Sequence, residues 1–214
     1  PQSLRMSGEQ KYKEGDGPLL TQETTNRAEL LVFTDKCQVY KCRLSDFADG
    51  KASSLGDFLP GKLGFDEGES FLTACLPGDY HGAILFVYEN GKAAKVELSG
   101  YDTKSNRRKL TGAYSDKSPL RSVILLSEER EVAVYSTEGR VVIFSTAQLA
   151  SKTTRSTQGV AVMTLKRKAL VDKALPLEET SITNPARYRS RSLPVAGALL
   201  RAEDMEEKQI TLEL

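Results

Sequence analysis

The chain has 214 residues, 39% of them hydrophobic, with 30 Lys and Arg against 29 Asp and Glu and a net charge of +1. That length buries a substantial core and suits a single all-β domain, while the near balance of charge excludes a protein that is basic over its whole surface. Acidic residues gather at 67–69, 128–131 and 203–207, which leaves a local basic face open elsewhere; no apolar run approaches the roughly 18 residues of a membrane span, so no membrane association is expected.

Residues 1–17 (PQSLRMSGEQKYKEGDG) are polar and Gly-rich and lack the apolar stretch of a secretory leader, so they read as a flexible, irregular boundary of a longer chain. Leu19, Leu20 and Thr21 begin a short strand. Residues 29–47 (ELLVFTDKCQVYKCRLSDF) then set two β-rich runs around a brief polar break, the pattern of a hairpin. Residues 48–65 carry Gly50, Gly56, Pro60, Gly61 and Gly64 and form a long connection. Residues 70–76 (SFLTACL) read as a strand, and Pro77-Gly78-Asp79 as the turn into a second hairpin at 83–101 (AILFVYENGKAAKVELSGY). The cycle repeats with a basic connection at 104–110, a strand at 120–126 (LRSVILL), a turn at 127–130 and a third hairpin at 131–149 (EVAVYSTEGRVVIFSTAQL).

Placing Gly139 over Gly91 and over Cys37 aligns the three hairpins at periods of 48 and 54 residues. Phe33, Val87 and Tyr135 precede the turn, Gln38, Lys92 and Arg140 follow it, and Phe47, Tyr101 and Leu149 close the copies. Repeats of this length predict stacked or radial β-units, because a single unit leaves one sheet face uncovered. A strand, a turn, a hairpin and a long connection per unit fit a propeller-type blade better than an immunoglobulin-style sandwich. After Leu149 comes SKTTRSTQG (151–159), then a basic alternating stretch at 160–171. Beyond Leu175 no hairpin with the shared turn is found. Residues 180–214 are expected to be irregular, with QITLEL (209–214) alternating as a strand would and pairing with the N-terminal segment to close a ring. The expected architecture is all-β, with about four blades over residues 18–179.

An enzymatic site is not legible. The single His81 sits in a turn with no partner, and there is no phosphate-cradling Gly-rich loop and no nucleophile motif. No cofactor or metal is expected. Cys37, Cys42 and Cys75 are odd in number without metal-ligand spacing, which points to free thiols in a reducing cytoplasm. The aromatic series Phe33, Phe86, Tyr88, Tyr135 and Phe144 falls within strands and reads as core rather than as a base-stacking platform.

The basic residues concentrate after turns and in connections. Lys41, Lys92, Lys95 and Arg140 follow the hairpin turns; Lys104, Arg107, Arg108 and Lys109 fill one connection, Lys152 and Arg155 the next, and Lys166, Arg167 and Lys168 a third. Repeating units place equivalent positions on one rim, where such cations suit phosphates and release counterions on contact. A rim of this kind reads backbone and bendability more than bases. The competing reading is that exposed β-loops collect Lys and Arg for solubility. Arg187, Arg189 and Arg191, with Tyr188 among them, form a separate C-terminal patch.

The repeated hairpin resembles that of a known family, the C-terminal β-pinwheel domain of the A subunit of bacterial type IIA topoisomerases, DNA gyrase and topoisomerase IV. An apolar strand leads to Thr or Ser, an acidic residue or Asn, a turn Gly and a base, with a second base three positions later. Here it stands as FTDKCQVYK (33–41), VYENGKAAK (87–95) and YSTEGRVVI (135–143), with SKTTRSTQGVAVMTL (151–165) as a further element. The resemblance covers about residues 19–179. It implies an array of blades whose basic rim bends and wraps duplex DNA beside the catalytic core of the same polypeptide, together with the ATPase B subunit, in the cytoplasm. It also implies no catalysis by this chain alone, because the family's DNA-cleaving tyrosine lies in another region. Three departures stand out: Cys37 replaces a turn glycine, Ile143 replaces a post-turn base, and the short basic gyrase box is missing. Together with the lower blade number they favour a topoisomerase IV-like or divergent subunit over a classical gyrase. The alternative is a propeller-like protein-interaction domain with an incidental basic surface.

Overall fold

The computed structural model describes residues 22–51, 55–104 and 108–205. The expectations for residues 1–17, for a strand at Leu19–Thr21 and for ring closure by residues 209–214 lie outside them.

Twelve strands form three four-stranded antiparallel sheets among the described residues, and each sheet is built on one of the three predicted hairpins. The first blade contains β1 (Glu29–Thr34), β2 (Val39–Arg43), β3 (Phe71–Cys75) and β6 (Lys109–Leu110), in the order β3-β1-β2-β6. The second contains β4 (Ala83–Tyr88), β5 (Lys92–Glu97), β7 (Leu120–Leu126) and β10 (Val160–Ala161), in the order β7-β4-β5-β10. The third contains β8 (Glu131–Ser136), β9 (Arg140–Ser145), β11 (Val171–Pro176) and β12 (Ala198–Leu199), in the order β11-β8-β9-β12. One short helix, α1 (Leu59–Leu63), lies in the first long connection.

The hairpin turns are equivalent. Gly91 and Gly139 have φ of 84° and 72°, and Cys37 takes the same left-handed conformation at 55°. A Cβ is uncommon there, but the Cys37 thiol reaches the Ser115 carbonyl oxygen at 3.8 Å and anchors the turn to the next connection.

The connectivity differs from one self-contained unit after another. The strand at 71–75 leads into the second hairpin but pairs with the first, with Val32 opposite Ala74. The strand at 120–126 likewise pairs with β4 of the second blade. The basic chain after each later hairpin then returns to the preceding sheet as its last strand, β6 beside β2 and β10 beside β5. The hairpin of each following blade is therefore inserted, in sequence, between the two flanking strands of the blade before it. By the same rule a fourth hairpin would fall between β11 and β12. Residues 177–197 instead hold short 3-10 turns at Leu177–Glu179 and Pro185–Arg187 and isolated bridges at Arg189 and Val195. Three complete blades thus stand among the described residues where about four were expected over 18–179, because the stretch at 160–176 supplies outer and inner strands to blades two and three.

Period-two alternation assigns each strand face to a neighbour. Leu31, Phe33 and Val39 meet Ile84, Phe86, Tyr88, Ala94 and Val96 between blades one and two. Leu85, Val87 and Ala93 meet Val132, Val134, Val142 and Phe144 between blades two and three. The two outward faces are covered by the chain itself. Val32, Tyr40 and Cys42 pack under Leu63 and Phe65, and Ala133, Val141 and Ile143 pack under Tyr188, Leu177 and Ile182. These covers serve as the end caps that a stack of repeats requires. Phe33, Phe86, Tyr88 and Phe144 are buried as core, as the sequence predicts.

Strands β3, β7 and β11 line one cleft of about 600 Å³. That places them on the inside of the array and puts β6, β10 and β12, at the other end of each sheet order, on its outside.

Candidate nucleic-acid interface

The basic residues singled out from the sequence separate into three environments. Lys104, Arg108, Lys152, Lys166, Arg167 and Lys168 are exposed. Lys92, Lys109, Arg140 and Arg155 are half-buried, and Lys41 and Lys95 are buried. Arg107 lies outside the described residues.

The exposed cations follow from the returning chain. Where it lies beside the second hairpin strand it is held by backbone hydrogen bonds, antiparallel at Arg108 and parallel at Lys152 and Arg189, and these three side chains are exposed. The Lys41 N–H donates to the Arg108 carbonyl at 2.7 Å, the Glu97 N–H to that of Lys152 at 2.9 Å, and the Ile143 N–H to that of Tyr188 at 2.8 Å. Arg108, Lys152 and Arg189 therefore occupy nearly the same level on the outer edges of blades one, two and three. The sequence alone sets Arg189 in a separate patch. The feature that reveals its place is a glycine seven or eight residues downstream: Gly159 after Lys152 and Gly197 after Arg189, each just before an outer strand. Both have left-handed φ, 73° and 76°, and a Cβ on Gly159 would stand 2.1 Å from the Ala93 carbonyl oxygen. Only glycine lets the edge strand come this close.

Lys166, Arg167 and Lys168 lie in a turn at the other end of blade two, near the second hairpin turn, where Met163 N–H donates to the Gly91 carbonyl at 3.2 Å. The two levels of cations are about five residues of strand apart, or roughly 17 Å. That spacing is of the order of the distance across a duplex groove, about 12 Å wide in the major groove.

Three of the four half-buried cations, Lys109, Arg140 and Arg155, are engaged within the protein. Lys109 Nζ sits 2.9 Å from both Asp66 carboxylate oxygens and over the Tyr40 ring. The Gln38 amide and Lys109 hold Asp66 below the usual carboxylate range. Arg140 donates to the Gly197 carbonyl at 2.9 Å, and Arg155 to that of Gly100 at 2.8 Å. In the C-terminal patch Arg189 forms a bidentate pair with Glu131, at 2.6 and 2.9 Å. Arg187 pairs with Glu203 at 3.3 Å, and Tyr188 is buried with its hydroxyl donating to Asp204. Much of that patch is the cap of blade three.

Lys41 and Lys95 are not on the exposed rim where the sequence reading put them. The Lys41 ammonium lies 3.3 Å from Glu29, 3.5 Å from Asp102 and 2.9 Å from the Thr103 carbonyl, over the Tyr80 ring. Lys95 pairs with Glu129 and donates to the carbonyls of Thr146 at 3.1 Å and Leu149 at 3.3 Å. Burial raises the Glu29 carboxyl, but hydrogen bonds from Tyr80 and Lys41 outweigh it and hold the group below its ordinary value. Hydrogen bonds from Lys95 and Thr146 hold Glu129 low as well.

His81 is exposed. No group of three or more His, Cys, Asp or Glu side chains among the described residues is arranged to hold a metal, and no described helix is long and apolar enough to cross a membrane.

No family model matches the chain. It is 22% identical over 203 residues to the A subunit of DNA topoisomerase 4 from Staphylococcus aureus, an alignment covering 94% of this chain and 25% of that protein. The chain thus spans a quarter of the length of that relative. Among solved structures it is similar to the C-terminal domain of a DNA topoisomerase IV, at 24% identity over 73% of this chain and 49% of that one, with a TM-score of 0.63. The DNA gyrase A C-terminal domain aligns at 18% identity over 82% and 60%, with a TM-score of 0.62. The E. coli ParC C-terminal domain aligns at 12% identity over 90% and 84%, with a TM-score of 0.64. The fold is the β-pinwheel of these domains.

Proposed function

We propose that this chain, a β-pinwheel like the C-terminal domains of gyrase A and topoisomerase IV, is a non-catalytic domain of a type IIA topoisomerase A subunit that binds and bends duplex DNA. The observation that supports the reading is one exposed base beside the second hairpin strand of each blade, at Arg108, Lys152 and Arg189, held by main-chain hydrogen bonds that are antiparallel in blade one and parallel in blades two and three, with Arg189 also paired to Glu131. Lys104 and the 166–168 turn extend the positive perimeter at its two levels. Cations spaced along a curved edge draw phosphates to it and gain by counterion release, without reading base edges. Bending follows if the duplex keeps contact from blade to blade, at a deformation cost that depends on its sequence. In the whole enzyme such an edge would hold a DNA segment beside the catalytic core of the same polypeptide, together with the ATPase B subunit, in the cytoplasm.

The test is duplex binding by the 214-residue chain across a salt series, with the triple variant Lys104→Glu, Arg108→Glu, Lys152→Glu. The expected result is binding to random duplex with a steep salt slope, and a slope lower by about 2 to 3 in the variant, uniformly across sequences. A chain that ignores duplex at low salt, or a variant that binds as the parent does, overturns the reading in favour of a protein-interaction domain.

A further inference from the structure

We infer that Lys41 and Lys95, the bases of the repeated hairpin motif, are not DNA contacts but positioning residues that fix the angle between successive blades and so the curvature of the DNA-bearing edge. The inference rests on the DNA-binding reading above for its consequence, and on buried geometry for its substance.

Both residues sit at one register position of their hairpins, Lys41 opposite Leu31 and Lys95 opposite Leu85. Both are nearly sealed from solvent, at 8% and 7% exposure. Each side chain leaves its own sheet and ends in the corner where the next blade begins and closes. Lys41 of blade one reaches the Tyr80 ring in the turn entering blade two, and Asp102 and the Thr103 carbonyl just after the 3-10 turn (Leu98–Tyr101) leaving it. Lys95 of blade two reaches Glu129 in the turn entering blade three, and the Thr146 and Leu149 carbonyls in and beside the 3-10 turn (Thr146–Gln148) leaving it. The ammonium suits this task because its several donors can satisfy carbonyls on separate segments at once. A buried cation with these partners is held in one geometry, and removing either side leaves unpaired polar groups in a dry site. The third hairpin supplies the control within the molecule. No blade follows it among the described residues, and the same position is Ile143, packed under Tyr188, Leu177 and Ile182 of the cap.

The experiment compares the parent chain with Lys95→Ile, which copies the residue the third blade uses. Three readouts are taken: the salt slope of duplex binding, energy transfer between the labelled ends of a short duplex, and small-angle scattering of the protein alone. The expected result is an unchanged salt slope with affinity within about twofold of the parent, because a buried cation releases no counterions. End-to-end transfer falls and the scattering envelope changes. A slope reduced by about one makes Lys95 a phosphate contact and overturns the inference. So does a folded variant whose transfer and scattering match the parent, since that leaves the lysine a role in stability alone. If the parent fails to bind duplex, the DNA reading falls while scattering still decides whether Lys95 fixes the angle between blades. If Lys95→Ile fails to fold, Glu129→Gln breaks the ion pair and leaves both carbonyl acceptors. It has to move transfer and scattering the same way at constant slope, and failure to move either overturns the inference.

Discussion

Lys95 and Ile143 hold the same place in consecutive hairpins, four residues past Gly91 and Gly139 and opposite Leu85 and Ala133. One sends a charge into the blade that follows. The other presents a hydrocarbon to the irregular segment that stands in for a further hairpin. Their difference separates a hairpin with a blade after it from one with none among the described residues.

Restoring the motif base at the last hairpin should therefore be harmful. Ile143→Lys would place an ammonium among Tyr188, Leu177 and Ile182, where the buried Asp204 carboxylate is already engaged by the Tyr188 hydroxyl and Thr183. The expected loss is about 3 to 5 kcal/mol, the range for an uncompensated buried charge. The midpoint of urea unfolding checks it, and an unchanged midpoint would show the cap to be loosely held.

Two glycines with nearly the same φ should respond differently to alanine. Around Gly139 nothing lies within 4 Å of an added Cβ, and Cys37 already occupies the equivalent turn, so Gly139→Ala should cost about 1 kcal/mol of left-handed strain. Gly159→Ala meets the Ala93 carbonyl oxygen at 2.1 Å and has to push β10 off its ladder, at about 3 kcal/mol. Equal effects on thermal unfolding would contradict the close approach of the outer strand.

Acid should loosen the end of the array first. Asp204 accepts from the Tyr188 hydroxyl and from Thr183 N and Oγ1 at 2.7 and 2.8 Å, which pushes its carboxyl down to about 2. A carboxyl lowered by folding contributes stability that is complete above its ordinary value, near 4, and is lost as pH falls through its folded value. Between about pH 4 and pH 2 the parent should lose stability that Asp204→Asn, already weaker at neutral pH, has no longer to lose. Parallel acid profiles for the two proteins would refute the assignment.

The thiols should be inert while the chain is folded. Burial pushes Cys75 up to about 12 and Cys42 to about 11. Because the thiolate is the reactive form, a disulfide reagent at pH near 8 should label both slowly in buffer and rapidly in urea. Fast labelling in buffer would mean that the first blade opens readily.

The repeat, the hairpins and their turn positions were legible because alternation and left-handed turns are local properties of sequence. Partnership between strands was not. The run at 71–75 carries nothing to say whether it pairs with the hairpin before it or after it, since an apolar strand satisfies either edge. The role of each base was also hidden. Lys41 and Lys152 look alike in the sequence, and they differ because one side chain points into a corner holding Glu29, Asp102 and the Thr103 carbonyl while the other leaves the sheet edge. Tyr188, which reads as a member of a basic patch, is buried because Asp204, sixteen residues on, returns to meet it.

The crossing of strands from blade to blade carries a mechanical consequence. In most repeat proteins a module can be lifted out at a seam, and the rest survives with one fewer. Here no seam exists, for a cut anywhere between residues 44 and 197 separates the strands of at least one sheet. The array is woven rather than strung, so it should melt as one fabric, and a pull transmitted to one blade is felt by its neighbour.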